Sequence, residues 1–411
     1  MKLLHLADLH IGKRVNEFSM IPDQKYILEQ ILKITKEEKP DAILIAGDVY
    51  DKSQPSAEAV ELLDGFLTRL TAMGQPIFII SGNHDSPERL SFGRKIMEKT
   101  GLHIAGTFDG SMQKVSLEDA HGPVHIYMLP FLKPAMVRPF FEEEIESYDQ
   151  AVAAVISAAN INSKERNVLI AHQFVVSGAL QPERSESEAL SVGGLDSVDA
   201  SNFSNFDYVA LGHLHRAQRM GRDTLRYAGS PLKYSFSEVL HKKSATFIEL
   251  GAKGEEIAIH ELPLEPLRDL REIKGPIKEL IRVGREEGLG TAESSSEVQS
   301  EEGQGGELQD EPNQERASQD YIRAILTDEE EIYDALGQLR QVYPNLMALE
   351  LENSRTIQQN TTSLAASGDM AAKSPLELFA EFYEEQNNNE LTPEQRLIME
   401  EILQQAGGAE E

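Results

Sequence analysis

Short runs of aliphatic residues alternate with helical patterns through the first half of the chain. Five of these runs predict buried strands, at residues 2–7, 41–47, 76–81, 167–172 and 207–213. Apolar residues recur at helical spacing within 22–39 and 60–70, and residues 88–99 also suit a helix. Continuous aliphatic strands separated by helices are typical of sheets covered on both faces. The sequence therefore predicts a layered α/β domain, which the strand-rich segments 225–236 and 243–250 complete at about residue 250.

The second half of the chain has a weaker hydrophobic pattern. Residues 251–352 predict a small α+β domain that is interrupted at about 286–318, where Glu, Gly, Ser and Gln replace almost all aliphatic residues. That composition buries too little apolar surface to offset the entropy of ordering, so we expect the insert to be disordered. Residues 353–373 predict a polar linker, and residues 374–405 predict amphipathic helices that need a partner surface.

Metal-competent side chains end or directly follow each of the five predicted strands. They are Asp8 and His10, Asp48, Asn83 and His84, His172, and His213 and His215. Because the carboxyl ends of strands form the ligand crevice of an α/β sheet, we expect these side chains to converge. Each short motif alone is also common as a structural turn. Their joint occurrence at strand ends favours a functional site.

The types of these residues fit two adjacent divalent ions. Asp48 has two carboxylate oxygens and can bridge the ions. The other ligands divide into two sets, one of Asp8, His10 and His215 and one of Asn83, His172 and His213. Imidazole and oxygen ligands without sulfur suit Mn²⁺, Fe or Zn²⁺, and two such ions stabilise in-line displacement at phosphorus. His84 then remains to steady the phosphate or to protonate the departing oxygen.

Composition excludes several other kinds of site. The chain has no Cys, so thiolate metal sites, disulfides and Cys nucleophiles are excluded. No signal-peptide pattern or apolar run of membrane-spanning length occurs, and we expect a cytoplasmic protein with no membrane partner. The histidines outside the strand-end motifs are predicted to be structural; they are His5, His103, His121, His125, His241 and His260.

The net charge of −30 alone argues against a nucleic-acid substrate. Its distribution weakens that argument. Residues 285–320 have eleven acids and two arginines, and residues 376–411 have ten acids and one arginine, so each segment contributes −9. The rest of the chain is only mildly acidic. Charge therefore neither supports nor excludes a phosphodiester substrate.

The motifs DLH, GDVYD, GNHD, AHQF and GHLH occur in that order and resemble the calcineurin-like metallophosphoesterase superfamily. Longer stretches, among them HLADLHIGKR, GNHDSPERL and YAGSPLKYSFSE, resemble the SbcD family over residues 1 to about 350. The resemblance implies a β-sandwich flanked by helices, followed by a capping domain. It also implies the same seven metal ligands, with His84 catalytic and Mn²⁺ as the ion.

The resemblance to SbcD further implies a DNA nuclease of repair, recombination and replication. Its expected activities are 3′-to-5′ exonuclease on duplex ends and endonuclease on single strands and hairpins. Its expected partners are DNA and the ATPase SbcC, which the C-terminal helices would dock, with a homodimer inside a heterotetramer. Two alternatives stay open. One is a metallophosphoesterase that acts on phosphoproteins or small cyclic nucleotides, and the other is a non-catalytic scaffold for an ATPase.

Overall fold

A computed structural model describes residues 1–178, 180–185, 188, 196–294, 319–330 and 332–352, and scattered positions between 376 and 402. The strands of the first half are β1 (Lys2–Leu6), β2 (Arg14–Val15), β3 (Phe18–Ser19), β4 (Ala42–Ala46), β5 (Ile77–Ile80), β6 (Leu102–Ala105), β7 (Gln113–Asp119), β8 (Gly122–Leu129), β9 (Arg166–His172) and β10 (Phe174–Val176). The later strands are β11 (Ser197–Asp199), β12 (Tyr208–Gly212), β13 (Gln218–Met220), β14 (Arg222–Tyr227), β15 (Ser244–Glu249), β16 (Ala258–Pro263), β17 (Leu270–Gly275), β18 (Tyr321–Leu326) and β19 (Leu346–Leu351). The α-helices are α1 (Ile21–Glu38), α2 (Ala57–Thr71), α3 (Pro87–Leu90), α4 (Arg94–Met97), α5 (Pro134–Val137), α6 (Tyr148–Ala158), α7 (Ile277–Ser294) and α8 (Ala335–Arg340).

Two six-stranded sheets pack face to face. Their strand orders are β16-β15-β1-β4-β5-β6 and β13-β14-β12-β9-β8-β7. Strands β1, β4, β5 and β6 run parallel in the first sheet, and β8, β9, β12 and β14 run parallel in the second. Buried residues of both sheets, including Leu44, Phe78, Ile170 and Ala210, form one apolar layer between them. The predicted layered α/β sandwich is therefore confirmed.

Helices cover the outer faces of both sheets. On the first sheet, Ile31 of α1 and Leu63 of α2 belong to the same buried cluster as Ile43 of β4. On the second sheet, Val152 of α6 packs in a cluster with Leu169 of β9. The central strands are thus buried on both faces, which explains why they are continuously aliphatic rather than alternating.

The structure corrects two of the predicted elements. The helix expected at 88–99 is split into α3 and α4, because Gly93 lies between them with a left-handed φ of 73°. The strand-rich segment expected at 225–236 is a strand only as far as Tyr227, where β14 ends. The β7–β8 hairpin and α6 have no counterpart among the predicted elements.

The boundary of the first domain lies later than expected. Strand β16 pairs antiparallel with β15 at the edge of the first sheet, so this domain continues to Pro263 instead of ending at residue 250. The small domain that follows has a parallel sheet of β17, β18 and β19, on which α7 and α8 pack. Tyr321 of this domain donates a hydrogen bond from its hydroxyl to Asp23 of α1, at 2.7 Å.

Helix α7 runs to Ser294, so the expected disorder at 286–318 is wrong for its first residues. The rest of that insert and the linker at 353–373 lie outside the described residues. Within 374–405, described positions such as Leu376, Tyr383 and Ile398 have helical backbone. Among the helices that the structure describes, none combines the length and apolar character needed to cross a membrane.

Candidate metal centre

The predicted site residues follow neighbouring strands of the two sheets. Asp8, Asp48 and Asn83 come after β1, β4 and β5, which are adjacent parallel strands of the first sheet. His172 ends β9 and His213 follows β12, and these are adjacent parallel strands of the second sheet. The carboxyl ends of both sheets therefore meet at one edge of the sandwich.

Four of the predicted ligands have backbone angles that non-glycine residues rarely adopt. The φ angles are 53° at Asp8, 43° at His10, 48° at Asp48 and 106° at His213. Hydrogen bonds between the loops hold this geometry, including one of 2.9 Å from the His10 amide to the Asp48 carbonyl. Such conformations are costly and cluster at functional sites, where the surrounding structure maintains them. The loops are thus built to aim their side chains.

Glycine allows the two sheets to approach at this edge. A Cβ at Gly212 would collide with the Ala46 carbonyl oxygen of the facing sheet. A Cβ at Gly47 would collide with the His172 ring, and Gly47 also has a left-handed φ of 84°. Larger residues at either position would separate the two halves of the site.

Asn83 lies between the two histidines of the second sheet. Its Oδ1 atom is 3.0 Å from His172 Nε2 and 2.9 Å from His213 Nδ1. The other nitrogen of His172, Nδ1, donates to the Ala46 carbonyl at 2.8 Å, which leaves a lone pair on Nε2 in the neutral ring. That lone pair faces Asn83 Oδ1 and also Asp48 Oδ2, which is 3.4 Å away. Three electron-rich atoms meeting at one point suit a bound cation.

A similar arrangement joins His10 and His215. Their Nε2 atoms are 3.1 Å apart, and His215 Nδ1 lies 2.9 Å from the Glu238 carboxylate. Because a carboxylate only accepts, His215 carries its proton on Nδ1 and presents a lone pair at Nε2. A cation beside this pair of nitrogens would again satisfy both.

Asp48 belongs to two clusters of possible ligands, and these divide the residues differently from the predicted sets, because Asp8 is grouped with His172 and not with His10. Its carboxylate lies within 4.8 Å of ligand atoms of His10 and His84 on one side, and of Asp8 and His172 on the other. It is 2% exposed, and its Oδ1 accepts a hydrogen bond of 2.9 Å from the His84 amide. One carboxylate shared by two clusters is the geometry that a bridging ligand requires.

The two carboxylates of the site have opposite pKa shifts. Burial raises the pKa of Asp8 to about 7, although His172 and His215 oppose the shift. Burial also acts on Asp48, but His172, His10 and His84 outweigh it and hold the pKa of Asp48 below its ordinary value. Divalent cations among these groups would favour the ionised form of both acids. The donor set and its charge therefore fit two metal ions.

The profile of the calcineurin-like phosphoesterase family matches residues 1–217, and the profile described as the type 5 capsule protein repressor C-terminal domain matches residues 266–387. The chain is similar to the SbcD subunit of nuclease SbcCD from Staphylococcus saprophyticus, with 32% identity over 98% of both chains. It is 34% identical to the protein of the same name from Staphylococcus epidermidis, over 85% of each chain. The chain belongs to the SbcD family of calcineurin-like phosphoesterases.

A solved structure of a dimetal phosphatase from Danio rerio covers 64% of this chain and 96% of its own, with 11% identity and a TM-score of 0.40. Membership of the SbcD family makes the chain a hydrolase of phosphodiester bonds. The phosphoesterase fold implies divalent metal ions, and the clustered His and Asp side chains provide candidate ligands for them.

Several residues that support this SbcD site were not identified from the sequence. Asp85 ends the GNHD motif, and its carboxylate is hydrogen-bonded to backbone amides. Its carboxylate accepts hydrogen bonds from the amides of Val49, Tyr50 and Gly82, so it ties the loop after β4 to the loop after β5. Gln24 of α1 similarly donates to the His10 carbonyl at 2.7 Å. Such contacts join distant segments and leave no pattern in the local sequence.

Glu238 is the most buried of these supporting residues, with a side chain that is 0% exposed. One oxygen accepts from His215, and the other lies 2.6 Å from Lys243 Nζ. Burial disfavours its charge, but Lys243 and His215 outweigh burial and lower the pKa of Glu238. A carboxylate behind a ligating histidine fixes the tautomer and raises the basicity of the ligand.

We predict that Glu238→Gln lowers the affinity of the site for divalent metal about 10–100-fold, because such outer partners typically contribute that much. It should also cost about 3–5 kcal/mol of stability, since Lys243 would remain buried without its counter-ion. Calorimetric Mn²⁺ titration and urea unfolding measure the two effects. The control is Glu249→Gln, whose carboxylate is half-exposed and pairs with Lys2. Equal Mn²⁺ affinity in both variants would contradict the role of Glu238.

Proposed function

We propose that this chain is a Mn²⁺-dependent DNA nuclease subunit of repair, recombination and replication, acting in the cytoplasm. It degrades duplex ends as a 3′-to-5′ exonuclease and cuts single strands and hairpins as an endonuclease. The observation that carries the proposal is the position of Asp48 in both ligand clusters, in a chain similar to nuclease subunits over nearly its whole length. Mixed imidazole and oxygen donors without sulfur are compatible with Mn²⁺, Fe or Zn²⁺, and the resemblance to SbcD favours Mn²⁺ among them.

When bound, two such ions would supply a nucleophile near neutral pH and neutralise charge on the phosphate. In this proposal Asp8, His10 and His215 would hold the first ion, Asn83, His172 and His213 would hold the second, and Asp48 would be a ligand of both. The ligand loops fix these side chains before substrate arrives, so little reorganisation is needed during the reaction.

His84 is proposed to act on the leaving oxygen. Its Nδ1 lies 2.8 Å from the Asp51 carbonyl, which accepts the proton on that nitrogen and leaves Nε2 to face substrate. Its backbone amide binds Asp48, and its ring lies 4.8 Å from the His10 ring. In this proposal His84 acts as an imidazolium: Nδ1 keeps its proton on the Asp51 carbonyl, and Nε2 gives its own proton to the departing 3′ oxygen, which leaves the ring neutral.

The proposed substrate class is tested with the purified full chain. A 3′-end-labelled DNA duplex, a DNA hairpin and bis(p-nitrophenyl) phosphate are each incubated with Mn²⁺, with and without EDTA. We expect EDTA-sensitive release of labelled nucleotides from the duplex and cleavage of the hairpin. Hydrolysis of the aryl diester without cleavage of any DNA would instead indicate a small-molecule phosphodiesterase.

We propose that the C-terminal helices dock the ATPase SbcC. Described positions on both sides of Thr392, such as Tyr383 and Gln395, have helical backbone. Thr392 and Gln395 form reciprocal hydrogen bonds of 2.9 and 3.3 Å between side chain and backbone, which is the pattern of a helix-starting capping box. Gln395 also donates to the Tyr383 hydroxyl of the preceding helical segment, at 3.0 Å. Ile398 and Ile402 are 58% and 50% exposed, as a docking face would be.

Truncation after Ser374 should abolish co-purification with SbcC and retain Mn²⁺-dependent cleavage of single strands, because no ligand of the proposed centre lies beyond His215. Affinity co-purification with tagged SbcC measures binding, and a labelled oligonucleotide measures cleavage. A matched variant, Ile398→Asp with Ile402→Asp, should lose SbcC in the same way. Normal SbcC binding by the truncated chain would contradict the docking role.

We also propose a homodimer. Phe92 and Ile96, on either side of Gly93, are 80% and 75% exposed, and large apolar side chains at this exposure are typical of a protein interface. A second copy of the chain is the proposed occupant of this surface. Light scattering coupled to size-exclusion chromatography should give the mass of a dimer for the full chain and of a monomer for Phe92→Asp with Ile96→Asp.

A further inference from the structure

A sixth strand of the sandwich ends beside the metal centre without contributing a predicted ligand. Strand β8 runs parallel to β9, so the residues after Leu129 emerge next to His172. The first of them with a large side chain, Phe131, is half-buried, and its amide donates to the Ser81 carbonyl of the facing sheet at 2.9 Å. Its ring is stacked with that of His213 at an angle of 17° and a centroid distance of 6.5 Å.

This ring positions a lysine. Lys133 follows two residues later and is exposed, and its Nζ lies 6.0 Å from the centroid of the Phe131 ring. A cation over an aromatic face is attracted by the ring quadrupole and is restrained without losing its hydrogen-bond donors. The ammonium group is thus placed close to the ligands of the second proposed ion.

A second aromatic ring positions an arginine near the same histidine. Phe174 follows two residues after His172 and is 4% exposed, and its ring centroid is 6.3 Å from that of His213. The guanidinium carbon of Arg184 lies 3.7 Å above the Phe174 ring. Stacking uses the face of the guanidinium, so the N–H groups at its edge stay available for an anion.

The charges of the two cations are not neutralised by a carboxylate among the described residues. Asp and Glu outnumber Lys and Arg by 69 to 39 in the chain, and ion pairs are frequent on its surface. Among the described residues, however, neither Lys133 nor Arg184 is in an ion pair, and their contacts are with the two rings. Two cations that are held next to a phosphodiester-cleaving site and left unpaired suit phosphate groups.

We propose that Lys133 and Arg184 form a phosphate subsite, which binds the phosphates next to the scissile one on the cleaved strand. The proposal rests on the proposed nuclease function. It explains how a chain with a net charge of −30 can bind a polyanion at this edge. It also distinguishes nucleic acid, whose backbone carries a phosphate at every nucleotide, from a small diester with a single phosphate.

The test uses Lys133→Ala, Arg184→Ala and the double variant in the full chain. Cleavage of a labelled single strand and hydrolysis of bis(p-nitrophenyl) phosphate are measured at several salt concentrations with saturating Mn²⁺. We expect the DNA KM to rise several-fold in each single variant and further in the double variant. The slope of log(kcat/KM) for DNA against log[salt] should become shallower by about 0.7 per lost single-strand phosphate contact. The kcat/KM for the aryl diester should fall much less than that for DNA.

Two kinds of control separate charge from packing. Lys133→Arg and Arg184→Lys keep the positive charges and should retain most of the wild-type dependence of kcat/KM on salt. Lys164→Ala removes an exposed lysine at the amino end of β9, the opposite edge of the sheet, and should leave the slope unchanged. Unchanged DNA KM and slope in the alanine variants would overturn the subsite. An equal loss on DNA and on the aryl diester would also overturn it, since the residues would then act through His213.

The same measurements distinguish a failure of the proposed nuclease function from a failure of the phosphate subsite. If the wild-type chain hydrolyses the aryl diester but cleaves no DNA, the nuclease proposal fails and the subsite fails with it. If the wild type cleaves DNA and the alanine variants match it at every salt concentration, only the subsite fails.

Discussion

Replacing Asp48 by alanine should eliminate phosphodiester hydrolysis and reduce Mn²⁺ binding at both sites together. The reason is that its carboxylate lies within ligand distance of both clusters, so one substitution removes a ligand from each ion. The fold should persist, because Asp48 lies in a loop after β4 and the apolar layer between the sheets does not depend on it. Removing a side chain that other ligands cannot replace should leave activity at the background level.

The measurement is metal content by mass spectrometry after dialysis against Mn²⁺, with circular dichroism to verify folding. Asp48→Asn is the matched variant, because its amide oxygen can still accept from the His84 amide while its charge is lost. It should bind Mn²⁺ weakly and be inactive as well. If Asp48→Ala retained two ions per chain, Asp48 would not be a bridge.

Replacing His84 by glutamine should lower turnover of DNA about 10²–10⁴-fold while both metal ions remain bound. Glutamine can keep a donor near the Asp51 carbonyl, where His84 Nδ1 now lies, but it cannot transfer a proton. The backbone amide that binds Asp48 is unchanged by the substitution. Metal content should therefore match the wild type, in contrast to the Asp48 variants.

The proton-transfer role can be separated from a ligand role. His84 also lies within 4.8 Å of ligand atoms of His10 and Asp48, a distance at which it could coordinate an ion. Substrates with a better leaving group, such as an aryl diester, need less protonation and should lose less activity in His84→Gln than DNA does. Loss of one Mn²⁺ ion, or equal losses on both substrates, would show that His84 acts as a ligand and not as an acid.

The position of the candidate site could be predicted from the sequence because it depends on strand ends. Runs such as residues 41–47 are aliphatic throughout, so the end of each strand is visible and the next polar residue must lie at the sheet edge. Parallel pairing of β1, β4 and β5 then brings Asp8, Asp48 and Asn83 to the same edge. The layered fold could be predicted for the same reason.

Other features depend on contacts between distant segments, which leave no local pattern. Glu238 lies in the motif YAGSPLKYSFSE, but its pairing with His215 and Lys243 follows only from how the chain folds back after β14. The predicted domain boundary at residue 250 was too early because β16 pairs with β15 in the first sheet. The side chains of β16 are largely exposed, so its sequence gives little indication of which sheet it joins. The break at Gly93 could have been anticipated, since glycine commonly ends helices.

In the proposed centre, two metal ions lie between the ligand clusters and share Asp48. Crystals of the full chain grown with Mn²⁺ and measured at the manganese absorption edge test it directly. We expect two anomalous peaks about 3.5–4 Å apart, with the Asp48 carboxylate contacting both. One peak should lie beside Asp8, His10 and His215, and the other beside Asn83, His172 and His213. A single peak, or two peaks with Asp48 bound to only one, would contradict the bridged two-metal centre.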